Sequence, residues 1–167
     1  MYVKRQKWID LFPPVGKEVR AKLRDSWLYS PGMNIQVAVL CDAATDDNGK
    51  LNLLGSFDTI YARELPAIHP QCSVALRVTF TSGDEGKRLL KVTLVDADGQ
   101  AIMPSLDIPV DIALPDDMHF VTRNFILNIQ QLKFDEPGLY AVDIALDDQA
   151  QASIPLLVKH VPPATTA

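Results

Sequence analysis

Phe120-Val-Thr-Arg-Asn-Phe-Ile-Leu-Asn-Ile-Gln-Gln-Leu-Lys-Phe-Asp-Glu-Pro-Gly-Leu-Tyr-Ala-Val-Asp-Ile-Ala-Leu146 reads as strand, corner and strand. Val121, Phe125, Leu127 and Ile129 alternate with Thr122, Asn124, Asn128 and Gln130, the period of two of a half-buried strand. Beyond the corner, Tyr140, Val142, Ile144 and Leu146 alternate with Ala141, Asp143 and Ala145. Asp135-Glu136-Pro137-Gly138 cannot continue a ladder, because proline lacks an N–H and glycine accepts a positive φ. Gly138-Leu139-Tyr140 resembles the tyrosine corner of immunoglobulin-like sandwiches, in which the hydroxyl bonds back to the corner backbone. The expected product is a soluble all-β domain.

Working outward, strands recur on both sides. Ile35 to Cys41 is nearly continuously apolar, and Asp46-Asp47-Asn48-Gly49 supplies an Asn-Gly hairpin turn before Leu51 to Phe57. Gly55 marks a bulge or a close backbone approach. Asp58 to Gln71, with Pro66 and Pro70, reads as a long crossing connection of the kind a Greek key needs. Val74, Leu76, Val78 and Phe80 alternate cleanly with Ala75, Arg77, Thr79 and Thr81, and Lys87 to Val95 runs into the turn Asp96-Ala97-Asp98-Gly99. Leu106 to Ile112 alternates too, and Pro109 places it at an edge. Ala152 to Val158 contains Pro155 and reads as the other edge or as bulged. The pattern predicts an antiparallel β-sandwich of about eight strands over residues 33–161, immunoglobulin-like or a related Greek key, with a disordered tail at 162–167.

Residues 1–32 differ from this body. They hold both tryptophans, Trp8 and Trp27, and seven basic against three acidic side chains, whereas the rest holds nine against eighteen. Val15, Val19 and Leu23 recur every four residues, which is room for one short amphipathic helix. Three readings of this extension stand side by side. It packs on the sandwich through its tryptophans, it is a basic arm for a partner, or it is foreign to a domain that starts at Met33.

Composition narrows function. A chain of this length buries roughly 70% of its unfolded surface and needs no metal or disulfide staple. No apolar run approaches the ~20 residues of a membrane-spanning helix. An acidic body argues against nucleic-acid binding, which requires neutralising phosphates. The N-terminus has no uninterrupted apolar core of ~7–15 residues like that of a signal peptide, so the cytoplasm is the expected location. Cys41 and Cys72 sit in apolar surroundings as small hydrophobes, with an inter-strand bridge as the competing reading.

Chemical motifs are sparse. Asp96-x-Asp98-Gly99 lacks the further ligands and closing glutamate of a calcium loop and reads as a turn. His69-Pro-Gln-Cys72 contains soft ligands, yet zinc spacing is absent, and His119 and His160 have no recognisable place beside it, so no metal and no cofactor are expected. Catalytic residues are not identified, because no nucleophile elbow, phosphate loop or H-E-x-x-H occurs. The candidate binding surface is the uncharged polar row Thr122, Asn124, Asn128 and Gln130, whose amides suit a partner's polar groups or an extended backbone. Its alternative is the ordinary solvent face of a sheet.

From Met33 to about Val161 the chain resembles a bacterial family of small domains of unknown function. The resemblance rests on Val39-Leu-Cys-Asp-Ala-Ala, Gly49-Lys-Leu-Asn-Leu-Leu-Gly-Ser-Phe-Asp58, Val95-Asp-Ala-Asp-Gly99, Asn124-Phe-Ile-Leu-Asn128 and Pro137-Gly-Leu-Tyr140. It implies no activity, cofactor or catalytic residue, and residues 1–32 fall outside it. The expected function is a non-enzymatic binding or assembly module with a protein partner or self-association. The alternative is a ligand-binding or enzymatic domain with a pocket near residues 58–71, using Asp58, His69 and Cys72. A third expectation is an edge strand near Leu106–Ile112 that pairs with another chain.

Overall fold

Alternation of the kind seen in Val74–Phe80 demands a second apolar layer, and the computed structural model supplies it. The chain divides into two units, Met1–Pro31 and Gly32–Ala167, and the structure describes residues 32–161. The expected helix around Val15–Leu23, the placement of the tryptophans and the tail at 162–167 lie outside the described residues.

The described part is an all-β sandwich of nine strands, β1 Asn34–Asp47, β2 Lys50–Phe57, β3 Thr59–Ala62, β4 Ala67–Thr81, β5 Gly86–Asp96, β6 Leu106–Ile112, β7 Phe120–Phe134, β8 Gly138–Leu146 and β9 Gln149–His160. One sheet runs β2-β1-β4-β7 and the other β3-β9-β8-β5-β6. Every pair is antiparallel except β3 with β9. The order β1-β4-β7 over β9-β8-β5-β6 is that of immunoglobulin strands A-B-E over G-F-C-C′, and among the described residues strand D has no counterpart.

The core forms where the alternating faces meet. Val74, Leu76, Val78 and Phe80 of β4 are fully buried against Leu90, Val142, Ile144 and Leu156 of the other sheet. Tyr140 Oη donates to the Glu136 carbonyl at 2.8 Å, and its ring meets Phe134 edge-on at 4.9 Å, so the tyrosine corner closes the β7–β8 turn. Asn48 and Gly49, with φ of 52° and 78°, make the expected hairpin turn.

The sequence reading errs in two places. The crossing connection Asp58–Gln71 contains β3 and the start of β4. Four residues of β3, held by a parallel partner a hundred residues away in sequence, carry no local signal. Pro70 lies in β4 where β1 no longer flanks it, since β1 pairs β4 only over Ser73–Thr79. Opposite it Gln131 has φ 52°, and the core-facing series shifts there from Ile129 to Leu132, breaking the two-residue period. Finally, of the two readings of β9 the edge fails, because β3 covers its far side, and the bulge holds, with one extra residue, Gln151, opposite Ile144/Ala145. Pro155 is tolerated because it precedes the stretch paired with β3.

Candidate functional site

The polar row sits on the outer face of the β2-β1-β4-β7 sheet. Register places Thr122 opposite Thr79, Asn124 opposite Arg77, Asn128 opposite Ser73 and Gln130 opposite Gln71, with Ile126 completing the row opposite Ala75. Three of the four predicted side chains are engaged within the sheet. Thr122 and Thr79 hydroxyls lie 3.1 Å apart, and Ser73 Oγ donates to Asn128 Oδ1 at 2.7 Å. Asn124 Oδ1 accepts from Arg77 Nη1 at 2.9 Å, while its Nδ2 donates to Asp46 Oδ2 at 2.6 Å.

That last bond reveals how the β1–β2 hairpin runs. Cys41 is level with Ser73, and Val37 with Arg77. Yet five residues beyond Cys41 the chain is back beside Asn124, at the level of Val37. At 3.2–3.4 Å per residue this requires the strand to reverse over the outer face. Asp42 and Gly55 mark the bend: Gly55 has φ +62°, and a Cβ there would collide with the Asp42 carboxylate. The tip is fastened by Arg77, which donates to the Gly49 carbonyl at 2.7 Å and to Gln36 Oε1 at 3.1 Å. Asp46 also accepts from Gly49 N, and the Asn124 amide, then that N–H, hold its carboxyl below the usual range. Cys41, Ser73 and Ala75 lie between bend and clasp, outward by register yet 0%, 1% and 0% exposed.

The same register separates the cysteines. Cys41 shares the outer face with Ser73, whereas Cys72, the next residue back, faces the core. Both thiols are free, and the sheet between them rules out the bridge. Burial pushes the Cys72 thiol up to about 11, with the charges of Cys41 and Asp42 adding to it. Such a thiol is a poor nucleophile.

The alternative trio is not gathered in one pocket. A recess of about 270 Å³ is lined by Ala38, Leu40, Phe57, Asp58 and Pro155 among others, and includes neither His69 nor Cys72. Asp58 anchors β3, its carbonyl accepting from Leu157 N at 2.8 Å and its carboxylate from Thr59 Oγ1. His69 packs on the Phe57 ring at 5.3 Å, and its buried Nε2 has no partner among the described residues. No group of three His, Cys, Asp or Glu among the described residues could hold a metal ion. Asp96-Ala97-Asp98-Gly99 makes the expected turn, with Asp96 Oδ1 accepting from the backbone N–H groups of Asp98 and Gln100.

Two features escaped the sequence. A cavity of about 500 Å³ lies where the Asp96–Asp98 turn meets the β7–β8 corner at Asp135, Glu136 and Tyr140. Each turn is legible, but their meeting is a product of topology. The second feature is β7 itself. It is fifteen residues long, ends its sheet, and among the described residues pairs only with β4. Its core-facing Val121, Phe125 and Leu127 are only partly buried, because nothing in the described chain covers that side.

Among the described residues no helix is long and apolar enough to cross a membrane. Solved structures similar to this chain include the alkylpurine DNA glycosylase AlkC of Pseudomonas fluorescens bound to DNA containing an abasic-site analogue, at 9% identity and TM-score 0.43 over 76% of this chain and 30% of that one. A β-glucosidase of Listeria innocua in complex with isofagomine has 10% identity and TM-score 0.42 over 78% and 16%. A glycosyl hydrolase family 2 member of Bacteroides cellulosilyticus has 17% and 0.32 over 52% and 12%. This chain thus spans under a third of each. No curated protein matches the sequence. Residues 36–159, the whole sandwich but its first and last few residues, match the family of unknown function DUF6941, and the chain belongs to that family.

Proposed function

We propose that the protein is a non-enzymatic binding or assembly module whose docking element is the outer edge of β7. The supporting observation is a fifteen-residue edge paired, among the described residues, on one side only, flanked by partly buried Val121, Phe125 and Leu127. An incoming extended strand would satisfy its free N–H and C=O groups and lay alternate side chains on that apolar row. It would occupy the place of the missing strand D. The other edges suit this less. β6 carries Asp107, Pro109 and Asp111, β3 has four residues, and β2 is bent at Gly55. The polar row then serves chiefly to fasten the hairpin, with Gln130 and Ile126 facing the incoming strand.

The test is capture of cross-linked partners by the tagged chain expressed in its native cells. Ile126→Lys should lose the partner, and Asp111→Lys on the β6 edge should keep it. Equal recovery by both variants would refute the reading.

A further inference from the structure

The β7 edge carries a second regularity that concerns which strand it accepts. About Ile126 the outward row reads Thr122, Asn124, Ile126, Asn128, Gln130, polar and apolar in the same order from either end. The inward row gives Arg123 and Phe125 on one side of that centre and Leu127 and Ile129 on the other. An antiparallel strand of the same sequence, centred on the same residue, would set Thr122 against Gln130, Asn124 against Asn128, and Phe125 against Leu127. Ile126 would meet itself. Such a contact is isologous, because each residue meets its partner twice about a two-fold axis.

Charge favours it as well. Within Thr122–Gln130 the single charged residue is Arg123, which would face Ile129 and stand six residues along the paired strand from its own copy. No like charges oppose each other in that span, and like charges directly opposite are what destabilises a ladder. Further out, Asp116 and Asp117 would face Glu136 and Asp135 of the other copy, which confines the pairing to the regular part of β7. The left-handed Gln131 ends that part at its other boundary.

We infer that the occupant of the β7 edge is the β7 edge of a second copy, joined antiparallel about Ile126 so that two four-stranded sheets become one of eight. This rests on the proposed role of β7 and names its partner. It is read from the juxtaposition of an edge unpaired among the described residues with a self-complementary sequence on it. One strand against one strand is a small contact, so the dimer belongs with weak, concentration-dependent complexes.

Sedimentation of the purified full chain over a micromolar concentration series tests it. Wild type should pass from one-chain to two-chain mass. Ile126→Lys sets like charges at the axis and should weaken the dimer by at least about tenfold, and Ile126→Glu should do the same. An equimolar mixture of the two should recover it, which only a register centred on residue 126 provides. Thr122→Lys/Gln130→Lys repeats the repulsion away from Ile126 and covers the case in which that position disturbs folding. A dimer indifferent to all these variants, or a wild type that stays monomeric, overturns the inference. A monomeric wild type whose captured partner is still lost in Ile126→Lys would leave the β7 docking reading standing. Unaffected capture would remove both.

Discussion

Replacing Tyr140 by phenylalanine deletes one hydroxyl and leaves the ring that packs on Phe134. The lost bond is Tyr140 Oη to the Glu136 carbonyl at 2.8 Å. A net intramolecular hydrogen bond contributes about 0.5–1.5 kcal/mol. Because the corner is exposed, the orphaned carbonyl can turn to water, and the lower part of that range applies, about 0.5–1 kcal/mol. In a domain of roughly 130 residues that lowers Tm by about 2–5 °C. Urea unfolding should show an earlier midpoint with an unchanged slope. Tyr140→Leu also removes the edge-on contact at 4.9 Å and should lose about 0.5–1.5 kcal/mol more. Alkaline pH gives a separate signature, since burial pushes the phenol up. A folded pKa above the unfolded one means a contribution fully present below about pH 10 and lost as pH rises through the folded value. Tyr140→Phe should lack that loss. A phenylalanine variant as stable as wild type in urea, beside a clearly weaker leucine variant, would show that the ring alone closes the corner.

Phe80→Ala empties a fully buried site and should cost about 3–5 kcal/mol, a large part of a typical domain's stability, measured as the shift in denaturant midpoint. Asn124→Ala unfastens the hairpin tip from Asp46, so a thiol reagent should modify Cys41 faster while Cys72 waits for global unfolding. Equal rates at Cys41 in the variant and wild type would mean that the clasp does not hold the hairpin down. In acid, Asp147 should lose its contribution, because the Leu89 N–H and then Arg88 hold its carboxyl below the usual range. A depressed folded pKa stabilises above the unfolded value, near 3.9, and that share vanishes as pH falls through the folded one. Thermal melts of Asp147→Asn should therefore vary less with pH on the acid side than those of wild type. Gly55→Val forces a branched side chain into φ +62° against Asp42 and should lower stability by more than about 1 kcal/mol, read from the same melts.

What the sequence made legible is local. Val74–Phe80, the Asn48-Gly49 turn and the Tyr140 corner each rest on residues within one strand or turn of one another, where periodicity and turn chemistry act directly. The polar row was legible for the same reason, since register keeps alternate residues on one face. Its employment was not. Asn124 is seventy-eight residues from Asp46, and no spacing rule indicates that a hairpin doubles back to meet it. Gly55 gave half of that answer, a close backbone approach, without saying that a whole hairpin turns there. Cys41 and Cys72 show the same limit: both are buried, and only the register with Ser73 puts a sheet between them. The trio Asp58, His69 and Cys72 was assembled from neighbourhood in the chain, and folding sends Asp58 to the β3–β9 seam and Cys72 into the core.

Edges obey a related asymmetry. β6 announced its position because evolution's guards against unwanted pairing are visible in sequence, and Asp107, Pro109 and Asp111 are such guards. β7 alternates regularly from Phe120 to Gln130 and has no proline, and Arg123 is its one inward charge, so its pattern is that of a lightly guarded strand whose outer side is free among the described residues. Those traits are two sides of one fact. A strand with few devices that forbid pairing is fit for a neighbour, whether the chain itself supplies that neighbour or another molecule does. On the proposed reading, such a strand at an edge is a place where assembly, rather than solvent, is the environment, and the near-palindrome around Ile126 narrows the neighbour to a strand of matching pattern.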